Sequence, residues 1–177
     1  QHKILAPILS LIPGIGQFYN KQRVKGLLFL SVSMIVFSFL RQPISQGLWG
    51  FVTLGTEVPR DHSIFLLAQG IIAIIFLVLI VFFYYLNLKD AYINGKKIDE
   101  GESVNSLSED YKMMKKEGYP YLISSPALFL LIFAVVFPII FSFSLAFTNY
   151  NLYNSPPAKL VDWVGLETFK SIFTVNI

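Results

Sequence analysis

The sequence predicts an all-α integral membrane protein, with three transmembrane helices preceded by an N-terminal interfacial or re-entrant segment. Three observations carry that fold class. Residues 121–147, YLISSPALFLLIFAVVFPIIFSFSLAF, contain no charge; as a helix rising ~1.5 Å per residue they reach about 40 Å, more than the ~30 Å of bilayer hydrocarbon. Hydrophobic residues make up 54% of the chain and charged residues only 14%, where a soluble domain carries roughly a quarter. Basic residues gather in alternate polar segments between the apolar runs, as the positive-inside bias requires.

Residues 1–25 open with an apolar stretch, Ile4 to Ile15, broken by Pro13, Gly14 and Gly16. A dozen apolar residues are too few to cross, which predicts an interfacial or re-entrant segment. A signal peptide would need a small-residue cleavage site after the run, and none follows. Tyr19 then stands among Lys21, Arg23 and Lys25, an amphipathic ring beside cationic stems that suits a headgroup boundary. Residues 26–40 form the first span, short unless Lys25 and Arg41 snorkel outward at its ends. Its Ser31, Ser33 and Ser38 bond most readily back to their own helix carbonyls. Residues 41–63, with Pro43, Gly47, Gly50, Gly55 and Pro59, read as an external loop lying on the membrane face.

Residues 64–88 are the second span, again without charge and bordered by Tyr84 and Tyr85. Gln69 within it is read as a polar residue near the interface rather than as a contact to a partner helix. Residues 89–120 carry six Lys and seven acids and read as a solvated linker, with a turn at Asn94-Gly95. Ser106-Leu-Ser-Glu109 is a capping-box pattern that starts a short amphipathic helix, stopped by Gly118 and Pro120. Leu107, Tyr111 and Met114 share one face of it, suited to the membrane surface or a partner.

The third span, 121–147, is the strongest. Between Leu128 and Ile140 stand eleven Leu, Ile, Val and Phe residues; at ~0.3–0.6 kcal/mol each they favour insertion by roughly 3–7 kcal/mol. A buried helix of a soluble protein would break this run with a polar face. Pro138 removes a backbone donor mid-span and predicts a bend, with a neighbouring helix or Ser142 helping to satisfy the freed carbonyl. Residues 148–177 begin an external region: Asn and Tyr alternate, Pro156-Pro157 predicts an extended strut, and a short surface helix is expected from near Gly165.

Basic residues orient the chain. Those before the first span and in the 89–120 linker number ten, against four in the other two segments. The N-terminus and linker are therefore expected in the cytoplasm and the Asn/Tyr-rich tail outside.

Several chemistries are excluded. No cysteine means no disulfide, thiolate site or thiol nucleophile. No GxxxxGK[ST], GxSxG or HExxH pattern occurs. His2 and His62 are the only histidines, too few and too far apart to predict a zinc site. The spans carry no ionisable residue in their cores, which argues against proton coupling. Basic residues lie beside apolar runs rather than forming a face for nucleic acid. No catalytic residue, cofactor site or metal site is predicted.

From Gly118 onward the chain resembles the early region of carbohydrate ABC-transporter permeases. It is similar to the MalF-type subunit of maltose/maltodextrin importers of Gram-positive bacteria. The residues that carry this are SPALFLL, FPIIFSFSLAFTNYN and WVGLETFKSIF, and IPGIGQFYNKQRVKGLLFL also resembles the opening of those permeases. SPPAKLVDWVG tilts the likeness toward maltodextrin. The resemblance implies the N-terminal part of a MetI-like permease, which forms the translocation pathway with a second permease. The further partners it implies are cytoplasmic ATPase subunits that hydrolyse ATP, an extracellular sugar-binding lipoprotein, membrane lipid and an oligosaccharide substrate. The family's ATPase-docking EAA loop and its sugar-lining helices are not among these residues. The chain, which opens on Gln1, is therefore expected to be part of a longer protein, and a scaffold rather than a pore. Within this reading Tyr150, Tyr153 and Trp163 are candidates for contact with sugar or the binding protein, since flat aromatic faces suit pyranose rings; aromatic-belt packing is their ordinary role. PGIGQFYNKQRVKG also resembles the turn of small TM2-type membrane proteins with structural or signalling roles, which is the alternative class. A membrane-bound enzyme ranks last.

Overall fold

The computed structural model describes residues 1–174. Its elements are α1 (His2–Leu9), α2 (Ile15–Tyr19), α3 (Arg23–Thr53), α4 (Ser63–Asp99), α5 (Leu107–Glu117), α6 (Tyr119–Leu131), a π-helical turn (Ile132–Val136), α7 (Phe137–Leu145) and α8 (Glu167–Thr174). Three stretches are long and apolar enough to cross a membrane: α3, α4, and the run from Tyr119 to Leu145. The chain forms two compact units. One comprises Gln1–Arg41 and Val78–Ser125; the other comprises Gln42–Leu77 and the chain from Pro126 onward.

The expected loop at 41–63 is helical as far as Thr53, straight through Pro43. The turn expected at Asn94-Gly95 is likewise helical, since α4 continues to Asp99. At 41–53 a helix beside hydrocarbon satisfies its own backbone, whereas an open loop leaves polar groups bare at several kcal/mol each; at the polar end of α4 the Asn94 amide instead bonds back to the Asp90 carbonyl (2.9 Å). The glycines that suggested turns serve close packing instead. A Cβ on Gly70 would stand 2.4 Å from the Phe51 Cβ and 2.9 Å from the Gly47 carbonyl oxygen. This is the small-residue contact by which helices approach one another without a hydrophobic driving force. In the first unit a Cβ on Gly95 would stand 2.6 Å from the carbonyl oxygen of His2, so glycine there admits the N-terminal stretch of backbone.

Regular α bonding breaks in the third span as Pro138 predicts. The π-helical turn Ile132–Val136 precedes it, and the proline falls in the opening turn of α7, where its missing N–H costs least. The capping box at α5 forms: the Glu109 N–H donates to Ser106 Oγ (3.2 Å) and the Ser106 N–H to Glu109 Oε2 (2.6 Å). Leu107, Tyr111 and Met114 on that helix are all exposed. Ser33 bonds back to the Phe29 carbonyl at 2.7 Å, the expected local arrangement. The Pro156–Pro157 segment is a turn rather than a strut: its peptide bond is cis, and the Lys159 N–H reaches the Ser155 carbonyl at 3.3 Å.

The second unit is centred on Leu54, Leu67, Ile71 and Val161, flanked by Phe51, Ile75, Phe137, Phe141 and Leu145. The connection from α3 to α4 is organised by Asp61, whose carboxylate accepts the N–H groups of Thr56 (2.7 Å) and Glu57 (3.0 Å). Those bonds favour the ionised form and hold its pKa below the ordinary 3.8.

Two outcomes follow. Gly70→Val forces the α3–α4 approach apart and lowers stability by about 1–3 kcal/mol, read as an earlier unfolding midpoint in detergent. Because the folded pKa of Asp61 is depressed, its contribution is fully present above pH 3.8 and is lost as pH falls through the lower folded value. Hydrogen exchange at the Thr56 and Glu57 amides, corrected for intrinsic rates, should therefore quicken only in that acid window.

Candidate functional site

The first unit holds a polar clasp, built on a stripe of α4. Asn87, Asp90, Ala91 and Asn94 follow one another at helical spacing, so they share one face. Residues 1–25 close over it. The Asn87 amide accepts the Gly14 N–H (3.2 Å) and donates to the Ser10 carbonyl (2.9 Å). The Gln17 amide donates to the Asn87 carbonyl (3.0 Å) and to Asp90 Oδ2 (3.2 Å). Asn20 donates to the Ala91 carbonyl at 2.9 Å, and Asn94 donates to Asp90 Oδ1 at 2.9 Å. Ser10, Gln17, Asn20 and Asn87 are fully buried.

Lys25 carries the charge of the clasp. It is 4% exposed, 3.3 Å from Asp90 Oδ1, and ion-paired with Asp110 of α5. The expectation that Lys25 snorkels outward is thus corrected. Two carboxylates neutralise the ammonium in place, so it need not reach water. Asn105 extends the network: its carbonyl accepts from Gln22 (2.8 Å), its Oδ1 from Lys97 (2.9 Å), and its amide donates to Asp110 (2.9 Å). At the far end Asp99 accepts the N–H groups of His2 (2.9 Å) and Lys3 (3.0 Å). The linker charges are therefore not merely solvated. The signal for them was the Asn87/Asp90/Asn94 spacing, legible once α4 is known to run on past Leu88.

The second unit presents the tail. Thr148 and Trp163 form an isolated antiparallel bridge, and Asn149 and Asp162 exchange bonds: the Asn149 N–H donates to the Asp162 carbonyl (3.1 Å) and the Asp162 N–H to Asn149 Oδ1 (2.8 Å). Ser63 Oγ accepts the Val161 N–H at 2.9 Å. Trp163 is committed: its indole N–H donates to the Phe51 carbonyl (2.9 Å) and its ring lies 5.4 Å from that of Phe51. Tyr153, 86% exposed, and Tyr150, half exposed, are offered outward. Among the described residues no group of His, Asp and Glu is arranged to hold a metal ion.

Comparison with known proteins gives relatives over the whole chain. It is 57% identical over 177 residues to the galactooligosaccharides transport system permease protein GanP of Bacillus subtilis. It is 40% identical over 172 residues to the maltodextrin transport system permease protein MalC of Streptococcus pneumoniae, and 36% identical over 174 residues to the maltodextrin transport system permease protein MdxF of B. subtilis. These alignments take in 97–100% of this chain and 40–42% of each relative, so the chain spans about two fifths of the length of the curated relatives it matches. No family model matches it and no solved structure does.

Replacing Lys25 with Met leaves Asp90 and Asp110 facing each other unpaired. Since both carboxylates are partly solvated, the expected loss is about 2 kcal/mol, measured by chemical unfolding in detergent. Asp90→Asn, which keeps the Lys25–Asp110 pair, should cost less.

Proposed function

We propose that this chain, similar over the segment it spans to the permeases of bacterial sugar-transport systems, is the membrane-anchored early part of an ATP-binding-cassette oligosaccharide importer. The observation that carries this reading is identity of 36–57% along essentially the whole chain, on a helical chain with three candidate spans. In this reading a second permease completes the translocation pathway. Cytoplasmic ATPase subunits supply the energy, an extracellular sugar-binding lipoprotein delivers the substrate, and the present residues act as scaffold. The substrate is an oligosaccharide; the higher identity to the galactooligosaccharide permease favours galactose-based chains over the maltodextrin that the SPPAKLVDWVG tail suggests.

The segments 1–25 and 89–120 lie in the cytoplasm in this reading, supported by their ten basic residues against four elsewhere. The clasp of Lys25, Asp90 and Asp110 then belongs to the cytoplasmic side and the tail to the side where sugar arrives. Tyr150 and Tyr153 offer flat apolar faces there, suited to a pyranose ring or to the binding protein. Trp163, already bonded to Phe51, holds the tail in place.

Deleting the gene should abolish uptake of labelled galactooligosaccharide and leave maltodextrin uptake intact; the reverse pattern would exchange the substrates, and loss of neither would sink the transport reading. Tyr153→Ala should reduce uptake several-fold at unchanged membrane abundance, whereas Trp163→Ala should lower abundance as well. A reporter active only in the cytoplasm, fused at Asn105, should be active.

A further inference from the structure

We propose that residues 2–20 form a re-entrant hairpin whose tip, Leu11–Ile12, enters the hydrocarbon layer and is covered by lipid acyl chains, with anionic headgroups around its base. The hairpin runs back along α4. Its start is tied to Asp99 by the N–H groups of His2 and Lys3, and its tip is tied to Tyr84, whose hydroxyl donates to the Leu11 carbonyl at 3.1 Å. From Asp99 back to Tyr84 is 15 residues of helix, about 22 Å along its axis. Tyr84 itself stands within the charge-free run that ends at Leu88. The tip is thus carried past the polar end of α4 and alongside its apolar part.

Polarity is inverted across this hairpin. Ile4, Leu5, Ile8, Leu9, Leu11 and Ile12 are exposed by 38–63%, while Ser10, Gln17 and Asn20 are fully buried. In water that distribution is upside down; beside acyl chains it is the stable one. The spans in the same unit also turn apolar residues outward, at Val24, Leu27 and Leu28 of α3 and Val81, Phe82 and Tyr85 of α4. Non-helical backbone survives at membrane depth only where protein satisfies it. The bend at 10–14 meets that condition through Asn87, which takes the Gly14 N–H and the Ser10 carbonyl, and through Tyr84. Lys3, Lys21 and Arg23 at the base are exposed and free to meet phosphate.

The test uses the full-length permease in nanodiscs, with a single fluorophore on Leu11→Cys; residues 1–177 contain no cysteine of their own. Brominated acyl chains should quench this label strongly and aqueous iodide should not, while a label at Lys21→Cys should show the opposite. Iodide quenching at Leu11 would put the hairpin in water, and quenching by neither would mean that another protein segment covers it; either result overturns the proposal. Asn87→Leu should reduce bromolipid quenching at Leu11 several-fold, and an unchanged signal would remove Asn87 as the support of the tip. Adding phosphatidylglycerol to phosphatidylcholine nanodiscs should raise the unfolding temperature, and the combined K3Q, K21Q and R23Q variant should lose that rise. A rise of equal size in the variant would dismiss the headgroup contact.

Discussion

Beside hydrocarbon an unpaired backbone N–H or C=O has no water to turn to, and nearly every feature of this chain answers to that constraint. It keeps α3 helical through Pro43 to Thr53, where propensity alone favours a loop. Where Pro138 removes a donor, the chain changes to a π-helical turn instead of opening. Where it must bend, at residues 10–14, Asn87 and Tyr84 take up the freed polar groups.

The same constraint orders the side chains. The first unit buries amides, a lysine and their partners, and turns aliphatic residues outward. Electrostatics makes this tolerable because the buried charge is matched: Lys25 lies with Asp90 and Asp110. A buried pair of this kind adds little net stability over an apolar isostere, but it is demanding about geometry. Its effect is to fix α5 and residues 1–25 to one register on α4. The second unit follows the other rule of membrane packing: glycines at 47 and 70 let backbones approach, and a small aliphatic core gathers the start of the tail at Val161.

The two units present different surfaces. The clasp gives a rigid base on the side that carries the basic residues. The tail displays Tyr150 and Tyr153 from a support pinned by Trp163 on Phe51 and Val161 on Ser63.

By itself the sequence determined the three spans, the capping box at Ser106 and the interruption at Pro138, because each rests on local composition or on backbone chemistry within a few residues. Family resemblance was legible for the same reason, in contiguous strings such as WVGLETFKSIF. Only the tertiary structure decided the rest. Lys25 reads as a snorkelling residue until Asp90 and Asp110, which are 65 and 85 positions away, are brought to it. Trp163 reads as a contact candidate or an aromatic-belt residue, and only the fold shows its indole N–H donating to the Phe51 carbonyl. The loop expected from Arg41 and the turn expected at Asn94-Gly95 are helical instead, because the benefit of continuing a helix comes from the surroundings, apolar medium for the first and the closely packed His2 backbone for the second, and not from the residues themselves. Contacts between distant segments are absent from local pattern, and in this chain those contacts set which polar groups are buried and which aromatic rings remain open.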